Sequence, residues 1–335
     1  MINIKFIFGD KGTEASEPQP WLKYNLKKYN IFFDDKKPDL VFVHHRLIDC
    51  VPKSCPKVIV ERADSSVLFQ DVTRKSISED NTLAVIKTTI VREKKLNNSQ
   101  ICNKRYHCFL INKYANIVEN KNNLIEIENK FLDKIYCMIP TSVQDRFYWY
   151  KNNIPIEEKD IDVSFVGVVR YLGDQGANVM DWHRLKCVEE IKKIKSIKSF
   201  CVVSNSVQSH PLPNEAYKQI IQKSKIVISP WGMGEWNYRD FHAMYQKCVL
   251  IKPDSSHVKC YPVDIFKSNE RYIPCKLDFS DLQEKVLNVL ENYHFYDSII
   301  EKNRSDLVNS WNFDNLSYDF ALFIYKIIGM GKIFL

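Results

Sequence analysis

The sequence predicts an α/β protein of two tandem domains, each a parallel sheet with helices on both faces. Three observations predict this. The 335 residues are enough for two domains at roughly 100–200 residues each. Short, continuously apolar runs alternate with helical or polar segments, and strands apolar throughout belong to sheets buried on both sides. The alternation begins afresh near residue 160. In such sheets ligands bind beyond the carboxyl ends of the strands.

The elements follow in order. INIKFIF near the start reads as a buried strand. WLKYNLKKY fits a helix with Trp21, Leu22, Tyr24 and Leu26 on one side and lysines on the other. IFF, LVFVHH, PKVIVERADSS and TLAVIKTT supply four more strands. The residues just past the strand ends are Gly9-Asp10, His44-His45, Glu61 to Ser66, and Lys87. Residues 93–130 are rich in Asn and Lys and read as loops and short elements. The aromatic cluster at 147–153 reads as core, and polar 151–160 as a linker. DVSFVGVV then opens the second half. A helix from about Asp181 to Lys195 buries Leu185, Val188, Ile191 and Ile194. SFCVVS, KIVISP, CVLIKP and RYIPC are strands, and NEAYKQIIQKS is a helix. DFSDLQEKVLNVLENY is an amphipathic helix with Asp278 or Ser280 as N-cap and Leu282, Val286, Val289 and Leu290 inward. Residues 293–328 read as helical.

Composition excludes several classes. Hydrophobic residues are 45% and charged residues 27%, with 9 Gly and 13 Pro, which rules out collagen-like and low-complexity chains. The net charge of +7 is a mild, mixed bias and does not point to nucleic acid. The 10 cysteines form no CxxC pair and no zinc-finger spacing, so free thiols and a reducing cytoplasm are expected. No secretory leader and no membrane span is expected. The apolar tail from Phe320 reads as a packed helix, with a membrane-facing helix as the alternative. GxxxxGK[ST], GxGxxG after the first strand, and GxSxG are missing. The triplet Asp160-Ile161-Asp162 precedes its strand rather than following it, and Asp34-Asp35 has no partner ligand set. No catalytic metal and no cofactor are therefore expected. The lysine-rich helix containing Lys186, Lys192 and Lys193 is a solvated face or a contact for anionic lipid.

Chemistry concentrates in IVISPWGMGEWNYRDFHAMYQKCVLIKPD, residues 226–254. It parses as strand, loop, helix, turn, strand. Gly232 and Gly234 let the loop turn tightly and let backbone approach a ligand. Asn237 is a good N-cap, and the helix start it caps is an anion site. Arg239 lies in the first turn, where a guanidinium can pair with phosphate oxygens. Glu235 is placed to accept hydrogen bonds from hydroxyls. The set suits a sugar diphosphate. The same residues also fit a tight βα turn with Arg239 and Asp240 as a surface pair.

The segment resembles the donor-binding part of GT-B glycosyltransferases, most closely the exostosin-like and related bacterial or viral families. The resemblance rests on Ser229-Pro230-Trp231-Gly232, Tyr238-Arg239-Asp240-Phe241, Lys247-Cys248 and Lys252-Pro253-Asp254, with RYIPCKLDFSDLQEKV downstream and IDVSFVGVVRYLGDQG upstream. It covers about residues 160–310. It implies two Rossmann-like domains, at 1–155 and 156–312, and a terminal helix within 313–335 that crosses back to the first. The second domain would hold a nucleotide-sugar donor and the first a glycan or glycolipid acceptor. The resemblance implies donor-binding roles for Gly167, Arg170, Arg184, Gly232, Gly234, Glu235, Tyr238, Arg239 and Asp240. Many retaining members carry a second Glu eight positions on from the first; from Glu235 that position is Ala243, which favours inversion.

Inverting transfer needs a general base on the acceptor side. Asp64 leads, followed by Asp10, His44 and Glu61; the His44-His45 pair also fits local hydrogen bonding, and Asp64 also fits a helix cap. A cytoplasmic glycosyltransferase of surface polysaccharide, lipopolysaccharide or other glycans, with possible peripheral membrane contact, is the first expectation. The alternatives are an inactive GT-B-like module that binds a glycan or a partner, and a two-lobed binding protein.

Overall fold

The computed structural model describes residues 1–8, 20–61, 65–68, 70–98, 105–117, 124–138, 158–171, 177–206, 211–310 and 312–329. Two parallel sheets lie in tandem. The first contains β1 (Ile2–Ile7), β2 (Ile31–Phe33), β3 (Leu40–His44), β4 (Lys57–Val60), β5 (Thr82–Lys87) and β7 (Ile135–Cys137), in the order β2-β1-β3-β4-β5-β7. The second contains β8 (Ile161–Val168), β9 (Ser199–Ser204), β10 (Ser224–Ile228), β11 (Val249–Pro253) and β13 (Ile273–Cys275), in the order β13-β11-β10-β8-β9. Each order reverses once, between β1 and β3 and between β8 and β10. Chain leaves in opposite directions from those points, which opens a crevice at the strand ends.

Apolar residues explain the sheets. Leu40, Val41, Phe42, Val43, Val58, Ile59 and Val60 are at most 3% exposed, as expected for strands covered on both faces. Val163, Phe165, Ile226, Val227, Ile228 and Ile251 do the same in the second sheet. α4 (Ala177–Lys193) covers it, burying Val188 and Ile191, with Ile194 buried just past its end. This helix starts before Asp181, because Val179 and Met180 are themselves buried beside Trp231.

Three local expectations change. In α1 (Pro20–Leu26) Tyr24 points outward, 71% exposed, and Asn25 takes the inward place three residues after Leu22. α7 (Leu282–Glu291) is capped at Asp281, not Asp278 or Ser280. Phe279 adopts φ 59°, so the chain turns there before helix begins, and the Asp278 carboxylate accepts from Ser280 N at 3.0 Å within that turn. The 93–130 stretch contains α3 (Tyr106–Ala115).

Several contacts bind the halves together. α9 (Phe313–Ile327) returns to the first sheet, as the resemblance implied, and places Phe320, Phe323 and Ile324 among Ile4, Phe42 and Ile86. α3 goes the other way: its Cys108 and Ile111 pack with Tyr171, Val179, Met180 and Trp231 of the second half. β6 (Thr89–Val91) pairs antiparallel with β12 (Val258–Cys260), one strand from each half. Arg92 reinforces this ribbon through Asp264 at 2.7 Å. Neither the α3 crossing nor the ribbon was expected from sequence. The boundary near residue 155 and the 147–153 cluster lie outside the described residues. No described helix is long and apolar enough to cross a membrane.

Candidate functional site

The second sheet's reversal point holds a pair of buried arginines. α6 (Tyr238–Tyr245) follows the loop after β10, and its Arg239 folds back onto β8. Arg239 donates from Nη2 and Nε to Val166 O at 2.6 and 3.2 Å, and from Nη1 to Ser229 Oγ at 3.5 Å. Arg184 reaches the same place from α4. It donates from Nε to Trp231 O at 2.7 Å, from Nη1 to Val168 O at 2.7 Å and from Nη2 to Asn237 Oδ1 at 3.3 Å. The guanidiniums lie over the rings of Phe165 and Tyr171. Arg239 is 8% exposed and Arg184 3%. Every one of these acceptors is neutral. Among the described residues no carboxylate lies within salt-bridge reach of either guanidinium. Burial lowers the pKa of Arg184, and the charge of Arg239 beside it adds to that.

The two key glycines make room for these side chains. A Cβ on Gly167 would lie 2.4 Å from Arg239 Nη2 and 3.4 Å from Arg184 Nη1. A Cβ on Gly232 would lie 2.6 Å from Arg184 Nη2 and 3.1 Å from the Tyr171 hydroxyl. The sequence reading assigned this space to ligand approach; in the structure the arginines fill it. Gly234 closes the turn, its carbonyl accepting from Gly232 N at 3.0 Å.

Asp240 is corrected more fully. It is not a surface partner of Arg239. Its Oδ2 accepts from Asn237 N at 3.0 Å and from Lys252 Nζ at 2.6 Å, and both members of that ion pair are 0% exposed. The start of α6 therefore already carries an internal carboxylate, which occupies part of the anion site expected there. Lys252 also donates to Glu235 O at 3.0 Å. Tyr238 is half-buried, with its ring against Trp236 and His242. Arg170 sits exposed at the rim, 3.5 Å from Asp181.

Glu235 is also corrected. It does not face an open crevice. Its carboxylate is buried against the first half, accepting from Ser66 N at 3.2 Å and Ser66 Oγ at 2.5 Å. Two imidazoles flank it, His257 Nε2 at 3.5 Å and His107 Nδ1 at 3.7 Å. Burial works against its charge, but the His257 contact and the Ser66 hydrogen bonds outweigh that and hold the carboxyl down at about 2. The hydroxyl it accepts from is thus the protein's own. The loop around it is pinned peptide by peptide. His107 Nε2, 3.0 Å from Gly232 O, donates there. His183 donates from Nδ1 to Leu277 O at 2.8 Å and accepts Trp231 N at Nε2, 3.1 Å. Burial pushes His107 down to about 4 and His183 to about 3, so both are neutral.

The first sheet's reversal point brings the acceptor-side candidates together only in part. Asp10 and Asp64 lie outside the described residues. His44 ends β3, and its Nδ1 accepts from Arg46 N at 3.3 Å. Glu61 is buried past β4 and paired with Lys87 Nζ at 2.9 Å. His44 uses Nδ1 within its own turn and Glu61 is engaged by Lys87, so both have partners inside the first half. At the opposite end of the second sheet, Asp160 pairs with Lys198 and Asp162 with Lys225, at the start of β8. Among the described residues no His, Cys, Asp and Glu side chains group as a metal site.

No family model matches the sequence, and no curated protein matches it. Among solved structures, the chain is similar to an alpha-glucosyltransferase in complex with UDP, at TM-score 0.49 and 11% identity over 98% of this chain and 100% of that one. It is similar to TarM at 0.48 and 13%, over 89% and 56%. It is similar to a glycosyltransferase from Rickettsia africae ESF-5 at 0.48 and 12%, over 96% and 84%. The functional reading rests on the geometry of this chain.

Sequence reasoning missed Ser66 and Lys252 as contacts, and it missed His107, His183 and His257 altogether. Only His107 left a usable signal: with Cys108 and Ile111 it marks one face of a helix in a stretch taken for loop.

Proposed function

We propose that the protein is a glycosyltransferase that moves a sugar from a nucleotide-sugar donor to a glycan or glycolipid acceptor. The observation that supports this reading best is the buried Arg184–Arg239 pair, whose partners among the described residues are all neutral. Leaving two buried positive charges uncompensated is costly, several kcal/mol per ion. A diphosphate supplies the missing charge, and it would lie at the strand-end crevice where such folds bind ligands.

The chemistry follows from that placement. The acceptor oxygen attacks the anomeric carbon as its proton passes to a base on the first lobe. The bond from the anomeric carbon to the diphosphate oxygen breaks, and the electron pair leaves with the nucleoside diphosphate. Arg184 and Arg239 neutralise the charge that develops there. Gly167, Gly232 and Gly234 shape the cradle, Arg170 and Tyr238 stand at its rim, and Asp240 and Glu235 hold its loop. Asp64 is the preferred base, then Asp10. Ala243 at the position of a second Glu favours inversion. The arginine pair takes the role that a divalent ion serves elsewhere, so metal-independent transfer is proposed. The synthesis of surface polysaccharide, lipopolysaccharide or other glycans in the cytoplasm, with the lysine-rich face of α4 against anionic lipid, completes the reading.

Thermal shift and saturation-transfer NMR with UDP-, GDP-, dTDP- and CMP-sugars test it. Stabilisation by at least one donor, lost in Arg184→Met, is expected. Folded protein that responds to none of them overturns the reading.

A further inference from the structure

Resting on the donor-site reading, we propose that Glu235 is a positioning residue: through Ser66 it clamps loop 231–237 to the first lobe and so fixes Arg184 for diphosphate binding. The argument is a chain of contacts. Glu235 is 0% exposed although it sits on a loop between a strand and a helix. Its hydrogen bonds come from the backbone and the hydroxyl of one residue, Ser66, which lies 169 positions earlier in the chain. The imidazole nitrogens that face it, Nδ1 of His107 and Nε2 of His257, make no hydrogen bond in the structure. Ser66 therefore donates both of the carboxylate's short hydrogen bonds, beside the flanking imidazole of His257, and a buried carboxylate that loses donors takes back part of the cost of desolvation.

Ser66 is itself held. Its carbonyl accepts from Val91 N at 3.2 Å, and Val91 belongs to the ribbon strand that pairs with β12. On the other side, the loop is what Arg184 holds on to: Trp231 O and Asn237 Oδ1 are two of its three acceptors. Movement of the loop away from the first lobe therefore moves the guanidinium. Lys252 Nζ, bonded to both Glu235 O and Asp240 Oδ2, transmits the same displacement to the start of α6 and to Arg239. Ser66 makes no hydrogen bond to either arginine among the described residues, so its effect on anion binding is carried through the Glu235 contact.

The test is a double-mutant cycle read by calorimetric binding of UDP, GDP, dTDP and CMP to the full chain. Ser66→Ala and Glu235→Gln are each expected to weaken the bound nucleotide about 10- to 100-fold, the value of a charged hydrogen bond. The double variant is expected to lose no more than either single one. Ser66→Thr, which keeps the hydroxyl, is expected to recover most of the affinity. Amide exchange of residues 231–237 in nucleotide-free protein is expected to rise in Ser66→Ala. Wild-type affinity and unchanged exchange in Ser66→Ala overturn the clamp, and so do fully additive losses. If wild type binds none of the nucleotides, the donor reading fails, and the exchange comparison alone still decides the clamp. If Ser66→Ala does not fold, Glu235→Gln carries the same two readouts.

Discussion

Replacing Arg239 with methionine separates stability from binding in a way few interpretations share. The would-be Cβ of Gly167 lies 2.4 Å from one guanidinium nitrogen and 3.4 Å from the other. Those two nitrogens are therefore no more than about 6 Å apart, and at an effective dielectric of about 20 two unit charges at that range repel by about 3 kcal/mol. Arg239→Met removes the repulsion and one buried charge. It also forfeits the hydrogen bonds to Val166 O and Ser229 Oγ and the contact with Phe165, at about 1.5–3 kcal/mol for a charged hydrogen bond. The two sides nearly cancel, so the free protein is expected to keep its Tm within a few degrees. Nucleotide-induced stabilisation is expected to vanish, since about 1.5–3 kcal/mol is lost for each charged hydrogen bond to the diphosphate. Differential scanning calorimetry with and without saturating nucleotide measures both. A variant that melts several degrees lower while keeping its nucleotide shift would show that Arg239 is a packing residue, and the two-charge argument would be wrong.

The remaining predictions are narrower. Gly167→Ala meets only the far end of a flexible side chain, so Tm is expected to hold while nucleotide affinity falls about tenfold through displacement of Arg239; titration calorimetry reads both arms. Asp240→Asn is expected to cost about 3–5 kcal/mol in urea unfolding, because it strands the buried charge of Lys252, whereas the paired change Asp240→Asn with Lys252→Met is expected to cost less. Acid is expected to destabilise the protein early. His107, His183 and His242 are buried, and burial holds them at about 4, 3 and 3, below the unfolded value near 6.5. The unfolded chain therefore takes up protons first, and stability present above pH 6.5 is lost as pH falls toward 4, by up to about 1.4 kcal/mol per group per pH unit. Chemical unfolding at pH 7.5, 6 and 4.5 shows it; a flat profile contradicts the assignment of neutral imidazoles. Transfer is expected to proceed unchanged in millimolar EDTA, and a complete loss restored by magnesium or manganese would reassign the leaving-group chemistry.

Part of the site was legible without coordinates because it is local. Strand, glycine loop and helix start are consecutive between Ile226 and Asp240, so one reading frame contains them. Arg239 also declared itself, as a residue type that suits a diphosphate, while Gly167 and Arg184 entered only through the family resemblance. What could not be read was which acid meets which base. Asp240 and Arg239 are neighbours in sequence, yet Asp240 pairs with Lys252 on the next strand and Arg239 turns to Val166. Glu235 was marked as a hydrogen-bond acceptor on the loop, but its partner comes from 169 residues away. Side-chain pairing across a fold follows topology, and sequence spacing does not encode it.

The sequence by itself determined the two parallel sheets, because an uninterrupted apolar strand has no stable place except between two covering layers. It also marked the last helix as packed, since its apolar face needed somewhere to bury; the return to the first sheet was implied by the family resemblance and is what the structure has. Only the tertiary structure decided that α3 crosses to the second half, that a two-stranded ribbon ties the halves, and that two arginines lie together with no carboxylate of the described residues in salt-bridge reach. Each of these depends on segments far apart in the chain meeting at one point, and that meeting is fixed by the strand order of the folded sheets.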